Sequence, residues 1–103
     1  MDKEEVSMIG FEIVAYAGDA RSNLIQAIEE ARKGNYEKAD ELIEEADESM
    51  KEAHNTQTSM LAKEAEGEDV ELSFIMMHGQ DHLMTTLLLK DIVEHLINIY
   101  KEG

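Results

Sequence analysis

Apolar residues recur along the first third of the chain at helical spacing, with Val6, Ile9, Ile13, Tyr16, Ala17, Ala20, Leu24, Ala27, Ile28 and Ala31 on one stripe. This pattern predicts a helix from about Glu4 to Lys33, stopped by Gly34. Asn35 is a suitable N-cap for a second helix with Glu37 in its first turn. The second stripe runs through Ala39, Leu42, Ile43, Ala46, Met50, Ala53, Met60 and Leu61, and Gly67 closes it. With Gly67, Glu68 and Asp69 as the connection, a third helix begins between Val70 and Phe74 and runs to about Tyr100. Each helix then has roughly thirty residues and spans about 45 Å. Three equal helices joined by short loops predict an all-α, antiparallel up-down-up bundle.

The third helix differs from the other two. Ile75, Met76, Met77, Leu83, Met84, Leu87, Leu88 and Leu89 surround its axis instead of lining one side, a pattern that calls for burial on all faces. A lone three-helix bundle leaves one flank of each helix in water, so the surplus predicts association, with the third helices meeting near the axis of a closed symmetric oligomer.

Composition narrows the class. A chain of 103 residues bounds the protein at one domain, residues 1–103, and the absence of proline and cysteine suits long helices and removes disulfide and thiolate-metal frameworks. No apolar run reaches the length of a membrane span, and the acidic start Met1-Asp2-Lys3-Glu4-Glu5 is unlike a secretory signal, so the expectation is a cytoplasmic protein without membrane insertion. A formal charge of −15 disfavours nucleic acid as a partner. Eight acids against two lysines between Glu37 and Glu52 read as a solvated helix face.

At 100° per residue, His78, Asp81, His82 and Thr85 fall on a common face of the third helix and interrupt an apolar stripe that includes Phe74, Leu89, Ile92 and Leu96. Buried without partners, such groups cost several kcal/mol, so they reach solvent, bond one another or bind something. Three chemistries are open. His at i and i+4 is a zinc-ligand spacing, but Gly79 stands where one zinc-hydrolase motif needs its general-base Glu, and the shorter Asp81 where another needs Glu. Alternatively, a neutral imidazole at His78 attacks phosphorus, becomes a phosphohistidine and later serves as leaving group. Gln80, His82 and Thr85 are then candidate donors to the phosphoryl oxygens, and Gly79 removes a side chain where another protein must come close. In the third reading, a polar layer sets the register of a helical oligomerisation or scaffold module without chemistry. Copies of an axis-facing Asp81 would be brought together by symmetry, and a hard cation such as magnesium would relieve their repulsion.

Level matching in the bundle puts Gln57 and Gly10 near His78. Gln57, in the middle of the second apolar stripe, either borders the site or makes an ordinary interhelical hydrogen bond. His54 and His95 lie apart, as structural or surface residues.

Nearly the whole chain resembles the enzyme IIA component of the lactose/cellobiose family of the bacterial sugar phosphotransferase system. The resemblance rests on Gly10-Phe11-Glu12-Ile13-Val14-Ala15-Tyr16-Ala17-Gly18-Asp19-Ala20-Arg21-Ser22, on Ala53-His54 followed by Gln57-Thr58, and above all on His78-Gly79-Gln80-Asp81-His82-Leu83-Met84-Thr85. It implies a homotrimer in which His78 takes phosphate on Nε2 from the histidine-containing phosphocarrier protein HPr and gives it to a cysteine of the sugar-specific IIB component. His82 would help hold the phosphoryl group or the active imidazole. Asp81 would bind one metal ion per trimer on the threefold axis, for which magnesium is the expectation. The lack of an N-terminal extension found on some diacetylchitobiose-type members tilts the expectation toward the lactose type.

Overall fold

Three helices account for almost all of the chain: α1 spans Lys3–Arg32, α2 Tyr36–Ala65 and α3 Phe74–Glu102. The computed structural model describes residues 1–103. The up-down-up order makes α1 parallel to α3 and antiparallel to α2. Helix α1 is the middle element, packing along both neighbours, whereas α2 and α3 touch little. The result is a narrow plank of 52 × 20 × 16 Å.

Local chemistry sets the boundaries. Asp2 caps α1 by accepting from the Glu5 N–H at 2.8 Å. Gly34 (φ 87°) and Gly67 (φ 94°) end α1 and α2 in a left-handed conformation that other residues rarely adopt. In both, the N–H of the glycine and of the residue after it turn back onto the last helical turn: Gly34 to Ala31 O at 3.0 Å and Asn35 to Glu30 O at 2.9 Å, Gly67 to Glu64 O at 3.0 Å and Glu68 to Lys63 O at 3.1 Å. Asn35 does occupy the N-cap position, but its side chain makes no cap bond. It donates instead to the Glu30 carboxylate at 2.9 Å, tying α2 back to α1.

The second connection is longer than Gly67-Glu68-Asp69, because α3 starts only at Phe74, the last residue of the expected range. Ser73 decides this by accepting from the Met76 N–H at 3.1 Å. The segment before it is held by Met1, whose amine donates to Asp69 O at 2.7 Å and whose carbonyl accepts from Glu71 N at 3.1 Å. The opposite end of the bundle is closed by Tyr36 Oη donating to Tyr100 O at 2.9 Å and by Lys101 against Asp40 at 3.0 Å.

The core follows the expected stripes, with Val6, Ile13 and Leu24 of α1 meeting Leu42 and Met50 of α2 and Leu83, Val93 and Ile97 of α3. Alanines at 17, 20, 27, 31, 39, 46 and 53 let the helices approach closely. Leu61 departs from its stripe and is 60% exposed, while its neighbour Met60 takes the inward position. Helix α3 is not buried all round in one chain. Phe74 (80% exposed), Met77, Met84, Leu88, Ile92, Leu96 and Ile99 face outward.

Candidate functional site

Helix α3 is oriented by the residues it turns inward: Met76, Gly79, Leu83, Thr86, Val93 and Ile97. Gly79 sets how close it comes to α1. A Cβ placed there would stand 3.0 Å from the Gly10 carbonyl oxygen, and one placed on Gly10 would stand 2.8 Å from Met76 Cα. Gly10 thus lies at the level of His78, as expected, and this is a backbone-to-backbone crossing. Gly79 therefore does not clear space for another protein. It is buried, and its missing side chain makes room for α1.

One step before Gly79, His78 emerges exposed at the edge of the α1–α3 seam, and His82, one turn on, is half-buried behind it. The two rings meet edge to face, with centroids 4.7 Å apart and planes at 84°. Burial, the imidazole of His78 and the charge of Arg21 hold His82 below the usual histidine range, in that order of size, against an opposing pull from Asp81. His82 Nδ1 is buried with no protein hydrogen-bond partner. The pair thus offers a reachable imidazole backed by a second one that favours its neutral form.

The remaining polar residues divide. Asp81 is exposed on the same outward side and takes part in no ion pair within the chain. The Thr85 hydroxyl donates to Asp81 O at 2.7 Å, so its proton is committed to the helix backbone and is not a ready donor to a phosphoryl group. Gln80 does not stand beside His78. Two residues along a helix is a rotation of about 200°, which carries Gln80 to the α2 flank. There its Oε1 accepts a hydrogen bond from Gln57 Nε2, and its own Nε2 points to Met76 Sδ at 3.5 Å. Within one chain only His82 of the expected supporting residues stands beside His78, and Gln57 makes the interhelical bond. His54 and His95 are exposed, and neither ring stacks on the pair. Arg21 was not singled out from the sequence. Its signal was available in the parallel register of α1 and α3, which brings it to the seam above His82.

No three histidines or carboxylates of one chain converge on a point that could hold a metal ion. The zinc-hydrolase reading thus lacks its third ligand, and a metal at Asp81 requires carboxylates from other copies. No helix is long and apolar enough to cross a membrane.

Comparison with known proteins decides among the open chemistries. The family described as "PTS system, Lactose/Cellobiose specific IIA subunit" matches residues 8–101. The chain belongs to this family. Among its relatives, the lactose-specific EIIA component of Streptococcus mutans is 59% identical over 103 residues, covering 100% of this chain and 99% of the relative. The structure of PtcA from S. mutans superposes with a TM-score of 0.94 at 37% identity, covering 98% of this chain and 99% of that one. The IIA(Chitobiose) structure from Escherichia coli, solved in complex with HPr, gives 0.75 at 28% identity and covers 99% and 96%. This IIA chain is therefore a phosphotransfer component of a sugar phosphotransferase system.

Proposed function

We propose that His78 carries the phosphoryl group on Nε2, receives it from phosphorylated HPr and passes it to a cysteine of the sugar-specific IIB component, in the cytoplasm and for uptake of lactose. The observation that carries this reading is the exposed His78 ring standing edge-on to the half-buried His82. In the first step the Nε2 lone pair forms the bond to phosphorus while the donor's P–N bond breaks, its electron pair returning to the donor imidazole. In the second, a thiolate forms the P–S bond and the electron pair of the P–N bond returns to His78. Neither step needs a base to activate His78, because imidazole is nucleophilic when neutral. His82, whose charged form is disfavoured first by burial, can hold the His78 ring or a phosphoryl oxygen as a neutral imidazole. HPr as donor is supported by the related IIA(Chitobiose) solved in complex with HPr. Lactose is supported by the lactose-specific relatives from S. mutans and Lactococcus lactis, at 59% and 58% identity.

The apolar outer face of α3 supports a homotrimer with the three copies of α3 at its centre. Sedimentation should then give three times the 11.6 kDa chain. Each chain would bring one Asp81 carboxylate to the threefold axis, and one magnesium ion per trimer, with waters, would offset their repulsion. The decisive test of the carrier reading is incubation with phosphoenolpyruvate, enzyme I and HPr. The expected product is an acid-labile, base-stable phosphate on His78. An unlabelled protein, or equal labelling of His78→Ala, would refute it.

A further inference from the structure

A phosphoryl group brings close to two negative charges to a protein whose formal charge is already −15. The stretch of α3 around His78 does not balance it: from Phe74 to Leu89 there is no lysine or arginine, and Asp81 adds a carboxylate. Four of the other eight basic side chains are engaged, with Lys90 on Asp47 at 2.7 Å, Lys101 on Asp40 at 3.0 Å, Arg32 on Glu29 at 2.8 Å and Lys38 on Glu41 at 3.7 Å. Arg21 makes no ion pair in the chain.

Register explains where Arg21 points. Gly10 meets Gly79 at the crossing of the parallel helices α1 and α3, so Arg21, three turns further along α1, comes level with the residues just beyond Leu88. Helical side chains lean back toward the N-terminus, which returns the guanidinium toward the His82 end. It lines a cavity of ≈ 220 Å³ together with Thr85, Thr86, Leu88, Leu89 and Ile92. The Thr86 hydroxyl, 1% exposed, has no hydrogen-bond partner, so the floor of this cleft holds an unused polar group that can accept from a guanidinium. His82 lies about one turn before Thr86 on α3, and its ring touches that of His78.

We infer that Arg21 is a positioning residue for phosphoryl transfer: seated in the α1–α3 cleft above His82, its guanidinium supplies the countercharge for the phosphoryl group on His78. The inference rests on the assignment of His78 as phosphoryl carrier. Arg21 acts across His82 and not by forming a bond. At a separation on the order of 10 Å and an effective dielectric on the order of 50, one cation against two negative charges changes the equilibrium by about five- to tenfold. After burial and the His78 ring, the charge of Arg21 is the third cause that lowers the basicity of His82, which places the guanidinium within electrostatic reach of the pair.

The test compares the full-length protein with Arg21→Gln and Arg21→Lys. The readout is the equilibrium distribution of phosphate between HPr and each protein, followed by 31P NMR at low ionic strength and again at 0.5 M salt, a level at which the Debye length is only about 4 Å. Arg21→Gln should shift the distribution toward HPr about five- to tenfold at low salt, with the difference shrinking at high salt, and Arg21→Lys should recover most of it. The salt dependence and the rescue by lysine are readouts that a merely structural defect would not produce. Parent-like distribution in Arg21→Gln overturns the role of Arg21, as does a deficit that persists at high salt, one that lysine does not rescue, or one that accompanies an altered sedimentation mass. A parent protein that takes no phosphate at all overturns the His78 assignment itself, and the role of Arg21 falls with it.

Discussion

Replacing Gly10 with alanine tests the α1–α3 crossing that places His78. In a free helix the exchange stabilises by about 1 kcal/mol, because alanine loses less backbone entropy. Here the new Cβ would stand 2.8 Å from both Met76 Cα and Met76 N and 3.0 Å from Ile75 C. All three are backbone atoms of α3, so no rotamer change relieves them and the helices must part. Overpacking of a rigid contact costs typically about 1–3 kcal/mol, and backbone against backbone belongs at the upper end, leaving a net loss of about 2 kcal/mol. For a chain of this size that lowers the melting temperature by roughly 10 °C. Gly18, in the same helix, is the internal control: its Cβ would meet nothing within 4 Å, so Gly18→Ala should raise the melting temperature by a few degrees, for about 0.5–1 kcal/mol. Thermal melts of the three proteins by circular dichroism, at matched chain concentration because assembly shifts the midpoint, provide the comparison. If Gly10→Ala melts with or above Gly18→Ala, the close crossing is not rigid and the account of Gly79 fails with it.

Three other outcomes are expected. Gln80→Leu should leave phosphoryl uptake from HPr within about twofold of the parent, and a double-mutant cycle with Gln57→Leu should return a coupling of about 1 kcal/mol; a loss of uptake of a hundredfold would restore Gln80 to the site. Asp81→Leu should keep the trimer intact or steadier while abolishing axial metal, read by sedimentation and elemental analysis, whereas dissociation to monomers would argue against charge repulsion at an axis. Because His82 binds its proton less readily folded than unfolded, it contributes stability above its ordinary pKa of about 6.5, and this is lost as pH falls from there through the folded value. Denaturant titrations should show a shallower loss over that range in His82→Asn than in the parent; parallel curves would mean that burial of the ring is not felt.

Much of this protein was legible without coordinates, because helical periodicity and the special conformation of glycine act locally. Gly34 and Gly67 stop α1 and α2 where the stripes end, since few other residues take a positive φ, and the inward faces of all three helices follow from spacing. The grouping of His78, Asp81 and His82 on one side of α3 is likewise a property of 100° per residue, and the motif around them was enough to suggest the family. Side-chain direction across helices was not local. Gln80 and Thr85 looked like donors to a phosphoryl group, yet one turns to Gln57 on α2 and the other back to the helix carbonyls. Asn35 looked like a cap and instead reaches Glu30. Gly79, which in sequence stands beside the reactive histidine, belongs in space to the contact with Gly10, and Arg21, fifty-seven residues before His78, belongs to the cleft that leads to it. These choices depend on the parallel register of α1 and α3, which is set by which small residues let two backbones meet and is carried by no single stretch of sequence.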